Sequence, residues 1–132
     1  MNETPDLTKN QALVFSALSH AEAPLSAYTI LDRLRDAGLR APLQVYRALE
    51  KLLEYGLVHR LESLNAFVAC QHPHCGKEGT MAFAICESCG SVSEFFDDAI
   101  EKRLANLARA RGFHARKTTI ELRGQCETCA AA

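Results

Sequence analysis

The sequence predicts an α+β chain in two parts. Three helices and a β-hairpin come first, followed by a small α/β unit whose two ends are tied by cysteines. Three observations predict this. Apolar residues recur at helical spacing as far as Tyr55. After Gly56 the period shortens to strand-like runs. Two Cys-x2-Cys pairs, Cys86/Cys89 and Cys126/Cys129, then bracket the second part.

Thr8 is a fitting N-cap for a first helix with Ala12, Phe15 and Leu18 as its stripe, widened by Leu13 and Val14. Pro24 breaks the chain. Ser26 caps a second helix over Ala27 to Ala37, with Ile30, Leu31 and Leu34 on one side and Gly38 at the position past its end. Pro42 suits the first turn of a third helix, where a missing N–H costs nothing. That helix runs to about Tyr55, with Val45, Leu49, Leu52 and Leu53 at helical spacing, and Gly56 stops it. Leu57 to Leu61 and Ala66 to Ala69 read as two strands of a hairpin. Three helices followed by a hairpin is the layout of a winged helix-turn-helix. In that layout the third helix enters the DNA major groove and the hairpin lies beside it as a wing. Gln44, Arg47, Glu50, Lys51 and Glu54 lie off the apolar stripe of that third helix. The bland alternative is a small helical core with no partner.

The loop Gln71 to Gly79, rich in His, Pro and Gly, reads as a hinge. The predicted boundaries are therefore residues 1–70, a hinge over 71–79, and a second domain over 80–132. In that domain Met81 to Ile85 reads as a buried strand and Ser91 to Phe95 as a second. Asp98 and Glu101 form a capping box for a helix striped by Ile100, Leu104 and Leu107, and Gly112 ends it. Thr118 to Leu122 is a third, alternating strand. So small a unit has little core of its own, and a metal, a partner subunit or both should hold it.

Composition narrows the function classes. No run of 18 apolar residues exists, which excludes a membrane-spanning helix. The start, Met1 to Lys9, is polar with no apolar signal core, so the expected location is the cytoplasm. The net charge of −1 carries no electrostatic footprint of nucleic-acid binding, so DNA recognition must rest on architecture and particular residues. No Ser, His and Asp stand at a spacing that suggests a nucleophile and its base, and an enzyme is not expected.

Six cysteines in a chain of cytoplasmic type favour metal binding or thiol chemistry over structural disulfides. Two matched knuckles, Cys86/Cys89 and Cys126/Cys129, supply the tetrahedral four-sulfur set that zinc favours. With all four positions filled, the zinc is structural. A thioredoxin-type redox pair is the competing reading, but it needs one such pair rather than two.

A second group of metal-capable residues is concentrated nearby. His59 lies in the wing and Cys70 follows it. His72, His74, Cys75 and Glu78 crowd the hinge, and Glu94 sits just past the first knuckle. Cysteine, histidine and carboxylate together form a zinc-like ligand set. Ligands drawn from both parts would let metal occupancy set the angle between them. Singly, each has a plainer role: Cys70 as a small buried apolar residue, His59 as a wing surface residue, Glu94 as a solvated charge.

These residues resemble the ferric uptake regulator family. Ser26-Ala-Tyr28, Val45-Tyr-Arg-Ala-Leu49, Gly56-Leu-Val-His-Arg60, Glu62-Ser63 and Phe67-Val-Ala-Cys70 look like its DNA-binding half. Ile85-Cys-x2-Cys-Gly90, Gly112-Phe113 and Gly124-x-Cys-x2-Cys129 look like its dimerisation half. The match runs from Thr8 to Cys129. His-Arg-x-Glu-Ser after the third helix and the wing's ending in Cys70 are similar to the zinc-sensing branch. The iron-sensing branch carries a His-His-Asp-His run before the first knuckle, where this chain has Met81 to Ile85 with no ligand.

The resemblance implies structural zinc on Cys86, Cys89, Cys126 and Cys129, and regulatory zinc on His59, Cys70 and Glu94. The family's fourth regulatory ligand stands at what is here Gly79. His74 is the preferred stand-in, with His72, Cys75 and Glu78 as alternatives. Tyr28, Gln44, Tyr46 and Arg47 are the implied DNA contacts, with Arg47 pairing to purine acceptors. Where the family opens its recognition helix with Pro-Pro-Thr-Val-Tyr-Arg, this chain has Pro42-Leu-Gln-Val-Tyr-Arg47, a change that can alter the operator read. The implied function is a zinc-responsive repressor that binds an AT-rich palindromic operator as a homodimer. Its rivals are a relative that senses iron, manganese or peroxide, and a zinc-binding thiol or chaperone protein.

Overall fold

The computed structural model describes residues 6–70 and 80–131. The proposed hinge and its candidate ligands His72, His74, Cys75 and Glu78 lie outside the described residues. The chain divides into two compact units, Met1–Cys70 and Gln71–Ala132.

In the first unit, Thr8 and Gln11 cap each other. Thr8 Oγ1 accepts from the Gln11 N–H at 3.2 Å, and Gln11 Oε1 accepts from the Thr8 N–H at 3.1 Å. This opens helix α1, Lys9–Ser19. Its buried stripe is centred on Val14 and Leu18, whereas the expected Ala12 is exposed and Phe15 half-buried. Turning Val14 inward in place of Ala12 removes more apolar surface from water, so the larger side chain sets the roll of the helix.

Helix α2 covers Ala27–Leu34, capped by Ser26 as expected. Its last predicted turn tightens into a 3₁₀ turn over Arg35–Ala37. Gly38 then takes a left-handed φ of 108°. Helix α3, Pro42–Glu54, starts on the proline and buries Val45, Ala48, Leu49 and Leu52. It ends where the N–H of Leu57 reaches back to the Leu52 carbonyl at 3.0 Å, with Gly56 left-handed between them.

Strands β1 (Val58–Leu61) and β2 (Ala66–Ala69) form an antiparallel hairpin with Val58 opposite Ala69 and His59 opposite Val68. Leu25 adds a bridge to Phe67 through bonds of 3.0 and 2.8 Å, tying the wing to the segment before α2. Val58, Phe67 and Ala69 join the helical core. Each fully buried Val, Leu or Ile there contributes about 1.5–3 kcal/mol, so this unit has a core of its own.

The second unit is a three-stranded sheet in the order β4-β3-β5. Strand β3, Thr80–Cys86, is central. It pairs antiparallel with β4, Val92–Phe95, and parallel with β5, Thr118–Gly124, from Thr80↔Thr118 to Cys86↔Gly124. Helix α4, Asp98–Ala110, lies between β4 and β5 in the chain.

The cap of α4 differs from the expectation. Asp97, not Asp98, is the capping residue, accepting from the N–H groups of Ala99 at 2.8 Å and Ile100 at 3.1 Å. With two aspartates in a row, the earlier one can cap while the later one sits in the first turn, where the helix dipole favours a negative charge. Gly112 terminates α4 with a φ of 67°. A short helix α5, Glu127–Ala131, for which the sequence gives no signal, starts just after Cys126 and carries Cys129 of the second knuckle. Among the described residues, the buried ones of this unit lie on β3: Thr80, Met81, Ala82, Phe83, Ile85 and Cys86. No described helix is long and apolar enough to cross a membrane.

Candidate metal centre and nucleic-acid interface

The sheet topology builds the four-cysteine cluster. Because β3 and β5 run parallel, their C-terminal ends lie side by side, and each end leads into a Cys-x2-Cys. Cys86 is the last residue of β3 and pairs in register with Gly124, two residues before Cys126. The Glu87 N–H donates to the Gly124 carbonyl at 2.8 Å, locking the first knuckle to the end of β5. Gln125 Nε2 adds a bond to Ser88 Oγ at 3.1 Å. Within the first knuckle the Cys89 N–H points at Cys86 Sγ, 3.4 Å away. Gly90 takes a left-handed φ of 78° that lets the chain fold back.

The sulfurs of Cys86, Cys89, Cys126 and Cys129 all lie within 4.8 Å of one another. Four sulfurs held about 2.3 Å from one ion stand about 3.8 Å apart at the corners of a tetrahedron. Cys89 Sγ and Cys126 Sγ are 3.8 Å apart. The donor set and its dimensions fit a four-coordinate zinc ion.

The electrostatics of the four thiols are uneven. The Cys126 backbone N–H, followed by that of Cys89, pulls the Cys86 thiol down to about 6. Ser91, whose hydroxyl is 3.2 Å from Cys89 Sγ, lowers Cys89 in the same way. Cys129 is pushed up to about 12, chiefly by Cys126 and then by Cys86 and Cys89. A thiol ligates zinc as thiolate, so binding must displace whatever protons remain. At pH 7.5 Cys86 is already ionised and Cys129 still carries its proton. The first equivalent of zinc added to reduced, metal-free protein should therefore release fewer than four protons. Below about pH 6 Cys86 regains its proton, so the release rises and the affinity falls. A pH-indicator titration at pH 7.5 and 5.5 checks this; a full release of four at both values would contradict it.

In the first unit, His59 and Cys70 come together. His59 lies opposite Val68 on the hairpin, and the Cys70 N–H donates to the Leu57 carbonyl at 2.8 Å. Period-two alternation then puts His59 and Cys70 diagonally on one face. An imidazole nitrogen and Cys70 Sγ lie within 4.8 Å of each other. His59 is buried and Cys70 half-buried. Cys70 is in a disulfide, whereas the four knuckle cysteines are free. Glu94 sits on β4 in the second unit, half-buried.

The sequence-expected DNA contacts lie on exposed parts of the first unit, save the half-buried Gln44. Tyr28, in the first turn of α2, is 63% exposed. Along α3, Leu43, Tyr46, Arg47 and Glu50 are exposed while Val45, Ala48, Leu49 and Leu52 are buried. Arg47 forms no ion pair with any described residue, whereas Lys51 is engaged with Glu54 at 3.2 Å. Gln44, an expected DNA contact, is also engaged within its own helix. Its Oε1 accepts from the N–H groups of Arg40 at 2.9 Å and Ala41 at 3.1 Å, capping α3 in place of the missing Ser or Thr. Sequence reasoning overlooked Leu43 and Ser91. Leu43 carries no polar signal, and Ser91 gains meaning only once its knuckle is folded.

A winged helix-turn-helix unit followed by an α/β unit with a four-cysteine cluster defines a two-part class of winged-helix proteins. The profile of the ferric uptake regulator family matches residues 6–123, and this chain belongs to that family of transcription regulators. It is 40% identical over 124 residues to the zinc uptake regulation protein of Escherichia coli (strain K12), covering 93% of this chain and 72% of that one. Its structure is similar to the crystal structure of holo XcZur at a TM-score of 0.87 and 43% identity, covering 96% and 87% of the two chains. It is also similar to a zinc uptake regulator complexed with zinc and DNA, at a TM-score of 0.86 and 39% identity, covering 96% and 84%.

Proposed function

We propose that this protein is a zinc-responsive transcriptional repressor that binds operator DNA as a homodimer when regulatory zinc is bound, and so controls zinc uptake genes. The observation that carries this is the likeness, over 96% of the chain, to a zinc uptake regulator complexed with zinc and DNA. The four-sulfur cluster, with dimensions suited to zinc, supports it.

In this reading Cys86, Cys89, Cys126 and Cys129 hold a structural zinc that joins the ends of β3 and β5. His59, Cys70 and Glu94 hold a regulatory zinc, with His74 as the fourth ligand or else His72, Cys75 or Glu78. Zinc supplies a tetrahedral junction there, without redox chemistry. A Cys70 sulfur held in a disulfide cannot ligate as a thiolate, so regulation needs that bond reduced, as the thiol pools of a cytoplasmic setting provide. Tyr28, Tyr46 and Arg47 meet the DNA, together with Gln44, whose Oε1 caps α3 and whose Nε2 is left for the contact. The domain roles follow: residues 1–70 read DNA, 71–79 form the hinge, and 80–132 dimerise and bind metal.

Apolar residues left exposed on the second unit support the dimer: Ile100 and Leu107 on α4, Phe113 at 66% and Leu122 at 54%. The protein acts in the cytoplasm and is not an enzyme. The iron-sensing alternative needs ligands before the first knuckle, and there Met81, Ala82, Phe83 and Ile85 are buried apolar residues of β3.

The test is fluorescence anisotropy on the gene's own upstream DNA and on a randomised pool. Free zinc is buffered, a phosphine reductant is present, and iron(II) and manganese(II) are run in parallel. Tight binding should appear as free zinc rises through the sub-nanomolar range. Binding driven by iron or manganese would overturn the choice of signal, and no metal-dependent binding to either DNA would overturn the repressor reading.

A further inference from the structure

We infer that Leu43 is a base-reading residue, its side chain packing on the 5-methyl group of a thymine in each operator half-site. The inference rests on the DNA-binding reading above and extends it to a residue that no sequence motif marks.

Leu43 is a large apolar side chain, 57% exposed, in the first turn of α3. Apolar side chains elsewhere on this helix serve the core: Val45, Leu49 and Leu52 are at most 1% exposed, and Leu53 packs against them. Leu43 belongs neither to that core cluster nor to the partly buried residues packed on it. Three and four residues on, Tyr46 and Arg47 are exposed, so the three share one helix face. A recognition helix meets base edges with its N-terminal residues, and Leu43 is second in α3.

The neighbour best suited by type to read a base is otherwise engaged. Reading adenine with glutamine needs both halves of the amide, the oxygen accepting from N6 and the nitrogen donating to N7. Gln44 Oε1 already accepts two backbone N–H groups. Releasing it would leave the start of α3 without its cap. With that acceptor committed, the exposed contact surface at the tip of α3 is the isobutyl group of Leu43. The apolar feature a base presents in the major groove is the thymine methyl. Cytosine and guanine at that position would offer polar edges that a leucine cannot satisfy.

The experiment uses the zinc-loaded, reduced full chain and an operator selected by it from a random duplex pool. Each thymine is replaced in turn by deoxyuridine, which removes only the methyl. One symmetric pair of replacements should weaken wild-type binding about 15-fold, roughly fourfold per methyl lost from an apolar contact. Leu43→Ala should bind the thymine operator with that same deficit and respond to the deoxyuridine pair by less than twofold. Zinc content and the melting transition of the variant are measured alongside, because an exposed leucine should leave both unchanged. If Leu43→Ala keeps the full methyl dependence of the wild type, or no thymine replacement weakens the wild type, the inference is overturned while the repressor reading stands. If no duplex in the pool binds with zinc present, the repressor reading fails and takes this inference with it.

Discussion

Cys126→Ser should leave the protein without its tightly held structural zinc and with its second unit unfolded, while the first unit stays helical. The physical basis is the shortage of core in that unit. Its buried side chains lie on β3, and α4 contributes none. A sheet of three strands with buried side chains on its central strand alone does not offset the entropy of ordering its chain. The four sulfurs join the ends of β3 and β5, and through them the helix lying between β4 and β5 in the chain. Structural zinc sites in small domains contribute on the order of 10 kcal/mol, which is folding free energy because no site exists in the unfolded chain. Losing one of four ligands leaves three thiolates and a serine hydroxyl that ionises only at far higher pH. The expected outcome is loss of about one zinc per chain by elemental analysis, loss of the dimer by sedimentation, and loss of operator binding. A chelator strong enough to strip the wild type should give the same three results. Full dimerisation and one fewer zinc would show that apolar packing alone holds the unit.

Much of this architecture is legible in the sequence, and the misses have physical causes. Thr8, Ser26, Pro42, Gly56 and Gly112 mark helix ends because each relieves a definite backbone problem, and those ends lie where expected, whereas α2 stops at Leu34 and reaches Gly38 through a 3₁₀ turn. The Asp97/Asp98 choice was not legible, since both residues have the same capping chemistry and only the path out of β4 separates them. The roll of α1 is not legible in the sequence because Ala12 satisfies an apolar pattern while contributing little area to bury. The two knuckles announced themselves by spacing, but their meeting depends on β3 and β5 running parallel, which no local pattern specifies. The diagonal of His59 and Cys70 follows from the hairpin register, and the register follows from the tight turn at Asn65, with its φ of 48°. The cap made by Gln44 is not legible in the sequence, because a glutamine there can cap the helix through its oxygen and still turn its amide nitrogen outward.

Arg47→Ala should reduce operator binding by at least about 30-fold while leaving zinc content, dimerisation and thermal stability unchanged. Arg47 lies on the exposed face of α3, two residues from Val45 and one from Ala48 in the core, so its backbone is rigidly held. Its guanidinium is engaged by no ion pair among the described residues, so none of those must break before it meets a base. A bidentate arginine contact to guanine contributes about 1–3 kcal/mol of discrimination. Two-fold symmetry removes it from both half-sites at once, so the expected loss is about 2–6 kcal/mol, roughly 30-fold to 10⁴-fold. Arg47→Lys separates shape from charge. A lysine restores the charge but not the planar fork, so it should recover part of the affinity for any DNA and little of the preference for the operator. Competition anisotropy with operator and unrelated duplex, each at two salt concentrations, distinguishes the cases. A base contact predicts that Arg47→Ala narrows the gap between the two duplexes with little change in salt dependence. A phosphate contact predicts equal weakening on both and a shallower salt slope.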